Sequence, residues 1–186
     1  MTPDITDVAD LVELLRSPAA SDHDGESVSI VEHGLQCAAL LRARAPHDTE
    51  LQVAGLVHDI GTVVAPNLPA THAATGADAV RPLLGDRIAA LVAGHDLAKR
   101  YLVSTDTGYR SSLTPRSMET LEEQGGELDE AGRTQFERSP HFDALVELRR
   151  ADDDAKVLGL AVGTIDDWQA ALMHVASDDS SAGPPR

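Results

Sequence analysis

Apolar side chains recur along this chain at intervals of three and four residues, the spacing that places them on one face of an α-helix. In residues 5–16, Val8, Leu11, Val12 and Leu15 form one such stripe. No segment shows the strict alternation, with β-branched or aromatic enrichment, that is typical of a strand. The pattern therefore predicts an all-α fold.

Interruptions of this pattern predict where the helices begin and end. A helix that opens at residue 26 or 27 and runs to about residue 44 is ended by Pro46. Asp48 is the predicted N-cap of the next helix, which Gly61 is expected to end, and residues 62–70 form a loop. Further helices are predicted for residues 72–85, 86–102, 115–124, a short segment after Asp129, a segment that opens at Pro140, and residues 165–175.

The length of 186 residues suits one domain that buries roughly 70% of its unfolded surface. We expect residues 1–176 to form a single helical bundle and residues 177–186 to be a flexible tail. The single cysteine, Cys37, excludes an intramolecular disulfide and is expected to lie in the core, because it falls within an apolar helix.

The formal net charge of −16 disfavours a nucleic-acid partner, since nucleic acids are bound by basic surfaces. The chain has no apolar run near the roughly 18 residues that span a bilayer, and its acidic first twenty residues do not resemble a signal peptide. We therefore expect a cytoplasmic protein without nucleic-acid or membrane partners, and a monomer is the simplest expectation. An anionic ligand would need local lysine and arginine residues.

Six imidazole and carboxylate side chains follow the order His, His-Asp, His, His, Asp within predicted helical segments: His33, His58, Asp59, His72, His95 and Asp152. These ligand types suit iron, manganese or zinc. Adjacent side chains on a helix diverge by about 100°, which would let Asp59 bridge two cations beside His58. Two metals about 3.5 to 4 Å apart can share one substrate. Any one of these histidines alone would more often be a hydrogen-bonded core or surface residue.

The sequence around these residues resembles a known family. Residues 25–38, 56–61, 94–102 and 142–156 are similar to the motifs of the HD-domain mixed-valent diiron oxygenases of the phosphonate-cleaving, PhnZ-like type. The likeness covers about residues 20–160. Generic HD phosphohydrolases share the His-Asp pair but not the Lys-Arg-Tyr-Leu segment that begins at Lys99 or the Leu-Arg-Arg segment that begins at Leu148.

The resemblance implies an HD-domain helical bundle with two iron ions in the mixed-valent Fe(II)/Fe(III) state and dioxygen as co-substrate. It implies that His33, His58, Asp59 and Asp152 hold the first iron and that Asp59, His72 and His95 hold the second. The reaction would cleave the carbon–phosphorus bond of a 1-hydroxyalkylphosphonate, giving phosphate and a carboxylic acid. The expected partner is therefore a small organophosphonate.

The resemblance also suggests which residues contact the substrate: Lys99, Arg149, Ser117, Thr120, Glu26 and Thr62. Helical spacing supports the first two, since Lys99 lies four residues after His95 and Arg149 lies one turn before Asp152. Ser117, Thr120 and Gln124 share a helix face that could bind phosphonate oxygens. The alternatives are a solvated lysine and a solvated polar face.

Two positions depart from the family pattern. His23 stands where the relatives have a tyrosine that occupies an iron until the substrate arrives, so this histidine is a possible latch or a solvated side chain. Thr62 stands where the relatives have a histidine near the distal end of the substrate. Both differences concern the substrate and leave the six predicted metal ligands intact.

Three other functions share part of this pattern. A metal-dependent HD phosphohydrolase would attack a phosphomonoester or nucleotide with a bridging hydroxide and would need no dioxygen. A non-catalytic HD module would be expected to have lost metal ligands, whereas all six are present. An inositol oxygenase would take an uncharged polyol, whereas Lys99 and Arg149 favour an anion.

Overall fold

Helices make up the regular structure of the computed structural model, which describes residues 5–66, 68 and 71–179. No strand occurs among these residues, so the predicted all-α fold is confirmed. The helices are α1 (Val8–Leu15), α2 (Ile30–Arg44), α3 (Thr49–Val57), α4 (Ile60–Val64), α5 (His72–Thr105), α6 (Pro115–Glu123), α7 (Glu130–Glu137), α8 (Phe142–Asp154) and α9 (Gln169–Asp179), with 3₁₀ turns at Tyr109–Ser112 and Ile165–Trp168.

The start of α2 differs from the prediction. Its N-cap is Ser29, whose hydroxyl accepts from the amide of Glu32 while the Glu32 carboxylate accepts from the amide of Ser29. This capping box satisfies amides that the first helical turn would leave without partners. The predicted start at residue 26 or 27 is therefore wrong, and Glu26 lies in the preceding loop, where it is free to face the cavity described below.

Gly61 does not end a helix, so that prediction is also wrong. The helix breaks earlier, at Asp59, whose φ of −95° and ψ of 9° lie outside the α-helical values. Residues 62–64 belong to α4, and part of the predicted loop, residues 67, 69 and 70, lies outside the described residues. A Cβ at Gly61 would collide with the carbonyl oxygen of His72 and lie 2.8 Å from the amide nitrogen of Gly76. Glycine is needed here because α4 and α5 touch through their backbones.

The later helices follow the predicted order. The two helices predicted on either side of residue 85 form the single element α5, which is non-helical at Gly85 and continues to Thr105. Thr114 and Asp129 cap α6 and α7 as predicted. Helix α9 continues to Asp179, beyond the predicted start of the tail at residue 177, and residues 180–186 lie outside the described part of the chain.

The core lies between α2, α3, α5 and α8, in which α3 and α8 each contact the other three helices. Cys37 is buried there, as predicted. A Cβ at Gly34 would collide with the carbonyl oxygen of Leu56. The glycine therefore allows the backbones of α2 and α3 to touch at this point. This close approach brings His33 next to the end of α3. Within the described residues, no helix combines the length and the apolar character needed to cross a bilayer.

We predict that Gly61→Ala destabilises the protein by at least about 1 to 3 kcal/mol, because the added methyl group meets backbone that cannot rotate away. Urea unfolding of the metal-free protein measures this. Gly108→Ala is the matched control, since Gly108 has a φ of −86° and its nearest neighbour to an added Cβ would be 3.4 Å away. The control should change stability by no more than about 0.5 kcal/mol. Equal stability of both variants would contradict the assigned backbone contact.

Candidate metal centre

The first group of predicted ligands joins α2, the end of α3 and α8. Nε2 of His33 lies 3.1 Å from Oδ1 of Asp152, and Nε2 of His58 lies 3.6 Å from Oδ2 of the same carboxylate. All three side chains are buried, and their ligand atoms lie within 4.8 Å of one another. Close backbone packing of α2 on α3 and the position of Asp152 in the last turn of α8 bring them together.

The second group joins the start of α5 to its later turns. His72 is the first residue of α5, and its Nε2 lies 3.0 Å from Nε2 of His95. Asp59 lies between the two groups. Its Oδ2 faces His33 and His58 at 3.7 and 3.4 Å, and its Oδ1 faces His72 and His95 at 3.5 and 3.6 Å. One carboxylate thus presents one oxygen to each pair of imidazoles.

Backbone carbonyls fix the tautomers of three of these histidines. Nδ1 of His33, His58 and His95 lies 2.9, 2.9 and 2.6 Å from the carbonyl oxygens of Ala155, Gly55 and Val92, respectively. A carbonyl oxygen can only accept, so in the neutral ring Nδ1 carries the proton and Nε2 presents a lone pair to the centre. This is the usual arrangement of a metal-binding histidine.

The centre has the donor set that two cations require. Nε2 of His58 is buried and has no hydrogen-bond partner among the described residues. A buried lone pair that faces carboxylates is unfavourable unless a cation or proton lies between them. The residues present therefore fit a pair of metal ions, and imidazole with carboxylate suits iron, manganese or zinc.

The charge states agree with this interpretation. Burial would raise the pKa of both aspartates, but the neighbouring imidazole of His58 and the guanidinium of Arg149 hold the pKa of Asp59 and Asp152, respectively, well below its usual range. Burial lowers the pKa of His95 to about 4. At neutral pH the centre therefore contains ionised carboxylates and a neutral His95, the forms that bind metal.

A cavity of about 80 Å³ adjoins this centre, and its wall carries the two lysines of the chain, Lys99 and Lys156. The Lys99 ammonium donates to the Thr120 hydroxyl at 2.7 Å. Lys156 donates to the Ser117 hydroxyl at 2.9 Å and to the Glu26 carboxylate at 3.1 Å. A protein with a net charge of −16 thus places both of its lysines at one small cavity.

The predicted substrate residues occupy different positions around this cavity. Lys99, Ser117, Thr120, Glu26, Thr62, Arg149 and His23 all line it. The guanidinium of Arg149 is buried and already engaged: Nη1 lies 2.7 Å from Oδ2 of Asp152, Nη2 pairs with Asp153, and Nε donates to the Tyr109 hydroxyl at 3.0 Å. His23 is exposed where it lines the cavity. Its role as a latch stays a prediction.

Several residues that line the cavity were not predicted from the sequence. Asp96 follows His95 in another His-Asp pair, which was the available signal. Lys156 lies one helical turn after Asp152, and this spacing could have indicated it. Arg116 also lines the cavity and pairs with Asp24, a contact between distant segments that no local pattern could predict.

Known proteins with similar sequences have related activities. The chain is 35% identical over 175 residues to the hydroxymethylphosphonate dioxygenase of Gimesia maris. The aligned region covers 89% of this chain and 86% of the relative. The chain is 30% identical over 167 residues to the 1-hydroxy-2-(trimethylamino)ethylphosphonate dioxygenase (glycine-betaine-forming) of Leisingera caerulea, covering 86% and 84%. This chain belongs to the phosphonate dioxygenase family.

The predicted family resemblance is thereby confirmed, and the phosphonate dioxygenases are oxidoreductases. An uncharacterized protein of Acanthamoeba polyphaga mimivirus is 27% identical over 187 residues, covering 95% of this chain and 85% of that protein. No family model matches the sequence.

We predict that Lys99 of this phosphonate dioxygenase homologue loses its proton near pH 8. Burial, followed by the charge of Arg149, lowers its pKa to about 8, so the cation is present below that pH and is lost above it. Because the chain has two lysines, reductive ¹³C-methylation gives two lysine signals, whose pH titration is followed by NMR. Lys99→Met identifies the signal by its loss. A Lys99 signal that titrates above pH 10 would contradict the buried position.

Proposed function

We propose that this protein is a diiron dioxygenase that cleaves the carbon–phosphorus bond of a 1-hydroxyalkylphosphonate. The observation that carries the proposal is the Asp59 carboxylate, with one oxygen toward each pair of imidazoles, beside a cavity that holds both lysines. The relatives named as phosphonate dioxygenases at 35% and 30% identity support the same reaction.

In this proposal, the first iron is held by His33, His58, Asp59 and Asp152, and the second by Asp59, His72 and His95. When bound in the mixed-valent Fe(II)/Fe(III) state, the pair supplies the open positions and the redox capacity that dioxygen chemistry requires. The protein keeps the imidazoles oriented through the carbonyls of Ala155, Gly55 and Val92.

The phosphonate is bound by the lysine side of the cavity. Lys99 and Lys156 supply the positive charge, and the hydroxyls of Thr120 and Ser117, which now accept from these ammonium groups, orient them. Charge-assisted hydrogen bonds of this kind are about twice as strong as neutral ones. The side-chain amide of Gln124 also lines the cavity, and both its polar atoms are buried without partners among the described residues, so it can bond to a phosphonate oxygen.

Arg149 has a different part in this proposal. Its guanidinium is paired with Asp152 and Asp153, so we assign it to the orientation of the metal ligand Asp152.

The overall reaction balances with one dioxygen per turnover. The phosphorus gains one oxygen as phosphonate becomes phosphate, and the hydroxyl-bearing carbon gains the other as it becomes a carboxylic acid.

The substituent on the reacting carbon is not expected to be a quaternary ammonium group. Quaternary ammonium groups are usually recognised by aromatic rings, and no phenylalanine, tyrosine or tryptophan is among the described residues that line the cavity. Hydroxymethylphosphonate, in which the substituent is hydrogen, is therefore the substrate chosen for the tests below.

With iron and hydroxymethylphosphonate, we expect phosphate to be released only when dioxygen is present, with one dioxygen consumed per phosphate. Parallel aerobic and anaerobic assays of phosphate, with an oxygen electrode, measure this, and ¹⁸O from the gas should enter the acid product. A phosphomonoester of similar size is the control substrate. Phosphate release without oxygen, or preferential hydrolysis of the phosphomonoester, would favour the alternative metal-dependent HD phosphohydrolase.

Lys99→Met should weaken anaerobic binding of hydroxymethylphosphonate roughly ten- to hundred-fold, because a charge-assisted bond contributes about 1.5 to 3 kcal/mol. Calorimetry of the iron-loaded protein measures the affinity, and metal analysis should find an unchanged iron content. Arg81→Gln is the control, since Arg81 lies on the same helix and pairs with the exposed Asp86. Wild-type affinity of Lys99→Met would contradict the assignment of Lys99 to the phosphonate.

A further inference from the structure

The two halves of the candidate metal centre contain matching groups when Asp96 is included. The first half has two imidazoles and two carboxylates, those of Asp59 and Asp152. The second half has two imidazoles and Oδ1 of Asp59, and its fourth acceptor is Oδ1 of Asp96. This oxygen lies 3.4 Å from Nε2 of His95 and 3.8 Å from Nε2 of His72.

These distances are close to those of the bridging residue. Oδ1 of Asp59 lies 3.6 Å from His95 and 3.5 Å from His72, so the two carboxylate oxygens are about equally near to the same pair of nitrogens. Nδ1 of His95 donates to the Val92 carbonyl, which leaves a lone pair on Nε2. This nitrogen faces Nε2 of His72 at 3.0 Å as well as the two carboxylates. Such a group of electron-rich atoms is stabilised by a cation among them.

We propose that Asp96 is a fourth protein ligand of the second metal in the substrate-free enzyme and that a chelating substrate displaces it. The inference rests on the proposed two-metal centre and adds a residue to it. The displaced position is the one that a phosphonate or hydroxyl oxygen of the substrate would take, so the resting metal would keep four protein ligands until substrate is bound.

The surroundings of Asp96 suit a ligand that leaves. Asp152 is fixed by the guanidinium of Arg149 at 2.7 Å and by His33 at 3.1 Å, and its side chain is 5% exposed. Asp96 has no lysine or arginine at ion-pair distance among the described residues, lines the cavity, and its side chain is 15% exposed. Rotation of Asp96 away from the centre therefore breaks no other ion pair, whereas rotation of Asp152 would leave Arg149 buried without that partner.

The test is an anaerobic titration of the metal-free protein with Co²⁺, followed by absorption spectroscopy and by metal analysis after gel filtration. The wild type should bind two Co²⁺ per chain. Asp96→Asn and Asp96→Ala should bind the first with unchanged affinity and the second at least roughly tenfold more weakly. Asp59→Asn should weaken both. Asp78→Asn, on the exposed face of the same helix, is the matched control and should behave as the wild type.

A second measurement tests displacement. Hydroxymethylphosphonate added to the cobalt-loaded proteins should bind Asp96→Asn at least as tightly as the wild type, because no carboxylate has to leave. Unchanged affinity for the second Co²⁺ in both Asp96 variants overturns the ligand assignment, and weaker phosphonate binding in them overturns the displacement. If the wild type itself binds fewer than two Co²⁺, the two-metal centre fails, whatever the variants do.

Discussion

The structure depends on the contacts of one carboxylate, that of Asp59, with four buried imidazoles. The helix break at this residue directs the side chain between two pairs of rings that come from distant parts of the chain. Because three of these rings, those of His33, His58 and His95, are held by backbone carbonyls, their Nε2 lone pairs converge on the centre. Burying these converging lone pairs and carboxylates without a cation lowers the stability of the folded state. Bound metal would therefore increase the free energy of unfolding as well as provide the chemistry of the site.

Most of the fold could be predicted because helical periodicity is a local property of the sequence. Caps with side-chain oxygens, such as Asp48, Thr114 and Asp129, were correctly placed for the same reason. The start of α2 was placed too early although its capping box, Ser29 with Glu32, is a local pattern. The error at Gly61 has a different cause, since a tertiary contact decides there. Glycine often ends a helix, but Gly61 is required because the backbone of α5 packs against it. This contact is between two helices and cannot be deduced from the residues next to Gly61.

The site was less evident from local sequence. The chain contains four His-Asp dipeptides, at residues 23–24, 47–48, 58–59 and 95–96, and the order of the surrounding ligands was needed to select the third. In the second, Asp48 caps α3 and pairs with Arg87, so it has a structural role. The first lines the cavity and the fourth lies against the metal centre. Such differences depend on how the helices pack, which a dipeptide cannot encode.

Two adjacent residues that follow α8, Ala155 and Lys156, contribute to the site in different ways. The carbonyl of Ala155 orients the ring of His33, and the next side chain, Lys156, lines the cavity. Gln36 holds the following residue, Val157, through bonds of 2.9 and 3.0 Å to its carbonyl and amide. Three consecutive residues thus connect the wall of the cavity to the support of a metal ligand. A substitution in this short stretch is therefore expected to change both the orientation of the His33 ring and the charge of the cavity wall.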